Sequence, residues 1–141
     1  MAKSFSVFGL DPSLHRSDIL VNVRGNYQGT TLLDSQGTQT RALKVQAHGP
    51  WTIKIKPTAA ARRVDAHAKG TGDDVLLYTG TGGAATFDYR GTLNFVVTYG
   101  DAGNTGLVDE VGRFRGQVSI RQGPALIVVS ANGKWRMDVA S

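Results

Sequence analysis

His15, His48 and His67 are the only imidazoles in the chain. With Asp73 and Asp74 they are the side chains from which a metal site would be built, imidazole nitrogens for zinc and hard carboxylate oxygens for calcium. No two histidines share a near spacing, so a zinc site would need the fold to gather them. Asp73-Asp74 follow Gly72 without the further carboxylates of a sequence-local calcium site, and a turn-stabilising role suits them better. Glycoside chemistry needs two acids facing a cleft about 5–10 Å apart. Glu110 is the only glutamate. Asp73, Asp74, Asp88 and Asp109 would have to join it, and nothing in their spacing selects a pair. Gly80-Thr81-Gly82-Gly83-Ala84-Ala85 follows an apolar run at 75–78 in the outline of a dinucleotide-binding loop. Such a loop works only where a helix starts and aims its N-terminus at a pyrophosphate. The residues after it alternate as a strand, so a hairpin loop is expected. No catalytic, metal-ligating or cofactor-binding residue is assigned, and none is expected.

Basic and aromatic side chains offer binding rather than reaction. Lys44, Lys54 and Lys56 fall on the expected outer face of an early hairpin. Arg113, Arg115, Arg121, Lys134 and Arg136 gather in a later one. A basic stripe can follow phosphates, but outward lysines also keep sheet edges from pairing wrongly. Exposed aromatics for base stacking are not evident, so nucleic acid is not the expected partner. Lys54, Lys56, Arg113, Arg115, Tyr27 and Phe114 form the expected interaction surface. Trp51 and Trp135 occupy equivalent positions in two similar stretches. That favours a packing role over sugar stacking, and with Phe95 and Leu126 they make the expected core.

The elements carrying these residues are strands. Trp51, Ile53 and Ile55 alternate with Thr52, Lys54 and Lys56. Phe95, Val97 and Tyr99 alternate with Asn94, Val96 and Thr98, and Trp135, Met137 and Val139 with Arg136 and Asp138. Period two is the signature of a half-buried strand. Residues 126–129 are apolar on both faces, as in a central strand. Asn132-Gly133 between two apolar runs predicts a two-residue hairpin. His48-Gly49-Pro50, 80–83 and 100–104 are further loops. Many short strands with these turns imply an antiparallel β-sandwich or barrel.

The 141 residues carry sixteen Lys+Arg against eleven Asp+Glu, a net charge of +5, and no cysteine. That length buries roughly 68% of its unfolded surface and folds without staples. Disulfides, thiolate metal sites and a cysteine nucleophile are excluded. The longest apolar run, 125–129, falls far short of the ~18 residues of a membrane helix. The first ten residues have one lysine and no apolar core of ~7–15 residues, so no secretory leader is expected.

The chain repeats itself. Leu20-Val21, Gly25, Tyr27 and Gly29 recur as Leu107-Val108, Gly112, Phe114 and Gly116 at one offset of 87 residues. Ala42-Leu43-Lys44-Val45 matches Ala125-Leu126-Ile127-Val128, Gly49-Pro50-Trp51 matches Gly133-Lys134-Trp135, and Phe5-Ser6-Val7 matches Phe95-Val96-Val97. A repeat must bury its apolar face against something, and the nearest partner is the other copy. The expectation is a single all-β domain over 1–141: a jelly-roll-like antiparallel β-sandwich of two pseudo-symmetric repeats. The units are 4–56 and 94–139, with a crossover and extra strands at 57–93. Both halves would share one interior closed by the two tryptophans. Because 57–93 has no counterpart in the first copy, that copy has an edge that the crossover strands or a neighbouring subunit would complete.

The order Gly70-Thr71-Gly72-Asp73-Asp74-Val75, Asn94-Phe95-Val96-Val97, Leu107 to Gly116 and Ala131-Asn132-Gly133-Lys134-Trp135 resembles a β-sandwich module recurring in secreted and surface proteins of Gram-positive bacteria. The first copy shares Leu20-Val21-Asn22, Gly25, Tyr27, Gly29 and Gly49-Pro50-Trp51-Thr52-Ile53 with it. The resemblance implies a fold and carries over no catalytic residue.

Two functions are expected from this. One is a non-catalytic virion protein, a phage capsid decoration or minor capsid protein that self-associates or coats a shell. The other is a module binding carbohydrate or another cell-surface polymer, extracellular or on the cell surface, with Tyr27, Tyr78, Tyr89, Tyr99 and Phe114 as platforms.

Overall fold

The computed structural model describes residues 4–34, 39–100 and 105–140. The expected 100–104 loop lies, beyond Gly100, outside the described residues. The alternating runs form β1 (Ser4–Leu10), β2 (Arg16–Arg24), β3 (Ala42–Ala47), β4 (Arg62–Val64), β5 (His67–Thr71) and β6 (Asp74–Tyr78). After them come β7 (Gly83–Tyr89), β8 (Asn94–Tyr99), β9 (Gly106–Val111), β10 (Phe114–Ile120), β11 (Ala125–Ser130) and β12 (Lys134–Val139). The fold is all-β, and a three-residue 3-10 turn at Thr58–Ala60 is the one helical piece among the described residues.

The strands build three sheets, ordered β2-β1-β3, β10-β7-β12-β5 and β4-β6-β11-β8-β9. Every pairing is antiparallel except β4 with β6. β11, apolar on both faces, is the middle strand of the five. β1 pairs β2 and β3 with Val7 opposite Val21 and Val45, and its register with β2 shifts after Val7. β8 pairs β9 and β11 with Val97 opposite Val108 and Val129, and its register with β9 shifts after Val97.

The four- and five-stranded sheets enclose one apolar cluster. β7 contributes Ala85, Phe87 and Tyr89, β8 contributes Phe95 and Val97, β11 contributes Ile127 and Val129, and β12 contributes Trp135, Met137 and Val139. Phe95 sits at its centre. It stacks on Tyr89 with centroids 4.5 Å apart and meets Phe87 edge-on at 6.2 Å. Leu126 points to the other side of β11 and is half-buried.

Five expectations need correction. The buried cluster draws only on residues 64–139. The halves do not share one interior, because among the described residues the first half contributes only Ser6, Val7, Phe8 and Gly9 to the buried set, and none of them to the cluster. Trp51 is not core. It is 52% exposed and Ile55 71% exposed, and residues 51–56 form no strand. The cause lies in their neighbours. β12 is held between β7 and β5, whereas 51–56 has no pairing partner among the described residues. Asn132-Gly133 makes no hairpin, since β11 and β12 belong to different sheets and Asn132 does not adopt the positive φ that such a turn needs. Its side chain instead accepts hydrogen bonds from the Tyr89 hydroxyl and the Leu93 N–H, tying the β7–β8 link to the β11–β12 link. The glycines at 80–83 lead into strand β7, and no helix starts there, but they close no hairpin either, since β6 and β7 lie in different sheets.

Truncating the central ring removes its stacking and leaves a cavity. Phe95→Ala is expected to cost about 3–5 kcal/mol, read as a lower urea midpoint of the transition that Trp135 fluorescence reports.

Candidate functional site

Most of the chemistry-bearing side chains are committed to structure. Asp73 lies in the two-residue link between β5 and β6. Its Oδ1 accepts from the Ala131 N–H at 2.9 Å, and its Oδ2 from the Tyr27 hydroxyl at 2.8 Å. Asp74 accepts from Arg62 and from the Val75 N–H, both at 2.8 Å. Asp88 lies near Arg90 and Arg115 at 3.9 and 3.7 Å, exposed pairs of little energetic consequence. His67 meets Asp138 at 2.8 Å on the surface. No cluster of three histidines or carboxylates suited to a metal ion occurs among the described residues.

The expected core and surface residues separate sharply. Phe95 and Trp135 are buried, and the Trp135 Nε1–H donates to the Gly72 carbonyl at 3.0 Å. The indole lies flat against Gly70, where a Cβ would come within 2.7 Å of the ring. Phe114 is no free binding platform: it packs on the core and lies 6.4 Å from the Phe95 ring. Tyr78 and Tyr89 are fully buried, and Tyr99 nearly so. Lys54, Lys56, Arg113 and Arg115 are exposed. The two lysines lie in the unpaired 51–56 segment and the two arginines near β10, so they do not form one patch on a single strand.

Tyr27 does more than the sequence suggests. Its ring stacks on Phe5 at 6.1 Å and covers Gly29. Its hydroxyl reaches Asp73, and the Thr30 N–H donates to the Asp73 carbonyl at 3.1 Å. These bonds join the first half to the second. Burial first, then the Asp73 hydrogen bond and charge, push the phenol well above its ordinary 10.0.

A groove of about 1500 Å³ opens over the first half. Phe5, Val7, Val21 and Leu43 line it, together with Trp51 and Ile53. The run 25–33, with Tyr27 and Leu33, lines it as well. The sequence already shows that 57–93 has no counterpart in the first copy. The structure adds what that leaves open: four strands lie in 57–93, none stands in their place beside 4–56, and the groove lies there.

Because the folded phenol holds its proton above pH 10 while the unfolded one releases it, the folded state binds more protons there. Stability then falls as pH rises. Tyr27→Phe is expected to melt lower than the native chain at neutral pH and to lose this alkaline slope. The difference between the two melting curves should shrink steadily above pH 10, the other tyrosines being common to both.

No family model, no curated protein and no solved structure matches this chain.

Proposed function

We propose that the chain is a non-catalytic interaction protein that assembles with another polypeptide, built from one complete and one incomplete copy of a jelly-roll-like sandwich unit. The pairing registers support the repeat. Ser4, Phe5, Ser6 and Val7 face Arg24, Val23, Asn22 and Val21. Asn94, Phe95, Val96 and Val97 face Val111, Glu110, Asp109 and Val108 in the same order. The irregularity falls after Val7 in one and Val97 in the other. Gly25 and Gly112 take φ of +88° and +80°. Tyr27 covers Gly29 as Phe114 covers Gly116, each leaving no room for a Cβ. The Val7–Val45 and Val97–Val129 pairings shift the third strand of the repeat by one residue from the sequence match, so Leu43 corresponds to Ile127.

One observation carries the functional reading. Trp135, Met137 and Val139 are buried beneath a complete sheet, while Trp51 and Ile55, at the corresponding places, stand open. An apolar face left open beside a groove marks an interaction site. The net charge of +5 would speed docking on an acidic surface, which suits a capsid decoration or minor capsid protein of a virion. The likeness to the Gram-positive surface module supports a second reading, a glycan-binding module, and the exposed Trp51 indole favours it by offering a sugar-stacking platform.

Light scattering and co-sedimentation with intact virions or with cell-wall fragments separate these readings. Salt-sensitive co-sedimentation with virions, abolished by Trp51→Asp with Ile55→Asp, is the expected result. Quenching of Trp51 fluorescence by polysaccharide, without co-sedimentation, assigns the glycan role. A chain that stays monomeric and meets neither partner removes both.

A further inference from the structure

The covered half is a template for what the open half lacks. In it, β7 lies between β10 and β12, with Tyr89 opposite Phe114 and Trp135, Phe87 opposite Gly116 and Met137, and Ala85 opposite Val118 and Val139. β6 lies along the outer edge of β11. On the first half both places are vacant among the described residues. β3 pairs only with β1, and the Tyr27 run and the Trp51 run both line the groove without a strand pairing to either. β6 and β7 are consecutive strands joined by residues 79–82, one in each sheet.

Resting on the repeat proposed above, we infer that the groove accepts two consecutive strands donated by a different polypeptide, one to each sheet, in the places of β6 and β7. Backbone pairing to the β3 edge would supply affinity, and the pockets under alternate side chains would supply selectivity. The residue corresponding to Tyr89 would lie between Tyr27 and Trp51, over Phe5. The one corresponding to Phe87 would lie between Gly29 and Ile53. The one corresponding to Ala85 would lie beside Ile55.

Two arguments settle the kind of donor. Each copy of the chain has one such pair of consecutive strands, residues 74–89, and two faces of this kind, so no exchange among copies fills every face. Charge points the same way. Residues 4–56 hold six basic and three acidic side chains, while 73–89 hold three aspartates and no base. The donor is therefore an acidic, alternately apolar pair of strands with a glycine-rich link, on another protein.

The test uses the full chain and a synthetic peptide of residues 72–91 as the probe. Saturable binding is expected, with a blue shift of Trp51 emission and loss of iodide quenching. Trp51→Asp or Ile53→Asp in the chain should weaken it about tenfold or more, and a Phe87→Asp peptide should not bind. A second variant joins an extra copy of residues 70–93 directly ahead of Ser4, which raises the effective concentration of the two strands. It should shield Trp51 and raise the melting temperature. The inference is overturned if neither peptide nor extension shields Trp51, or if the Phe87→Asp peptide binds equally well. It is also overturned if Trp51 is already shielded in a dimer of the native chain, which makes a second copy the occupant. In each of these cases, retained co-sedimentation with virions leaves the assembly reading standing, and its loss removes that reading separately.

Discussion

A pleated sheet has two faces, and an apolar face must be covered by something. That requirement organises this molecule. In residues 62–139 it is met by β7, which lies between β10 and β12 and lays Ala85, Phe87 and Tyr89 across the strands opposite. The Tyr89–Phe95 stack, 4.5 Å between centroids, closes the two sheets on each other. Each ring buries an area that dominates a small core, and the offset stacking adds to it. Tyr89 also carries a polar end, and Asn132 and Leu93 satisfy it. One residue therefore seals the apolar interior and fastens two loops above it.

Asp73 plays the corresponding part between the halves. It follows Gly72, whose φ of +80° turns the chain from one sheet to the other. Its three acceptor groups are all used, by Ala131, Tyr27 and Thr30. A carboxylate with two hydrogen-bonded oxygens is a firm anchor. The first half is thus attached through the link that also leads into β6.

The all-β character was legible because alternation at Phe95-Val97-Tyr99 and Trp135-Met137-Val139 reports a local property, two faces in different surroundings. The centrality of residues 126–129 was legible for the same reason. What misled was inference from local signal to neighbour. Trp51-Thr52-Ile53 reads the same as Trp135-Arg136-Met137, yet a strand exists only where another backbone pairs with it. Asn132-Gly133 has the residues of a tight turn, but the chain crosses between sheets there and the asparagine serves as an acceptor. The Tyr27–Asp73 bond spans 46 positions, and no spacing rule encodes it. Gly29 and Gly116 carried a readable signal, since a glycine two places after an aromatic leaves room for the ring to lie back over the strand.

The confinement of the buried cluster to residues 64–139 also bears on how the molecule comes apart. Opening free energies follow local apolar contact, so the domain is a mosaic of cooperative units rather than one. The N-terminal sheet β2-β1-β3, with four buried residues, would exchange its amide protons and admit proteases while the C-terminal sheets are still closed. A single all-or-none transition would therefore not describe the whole chain.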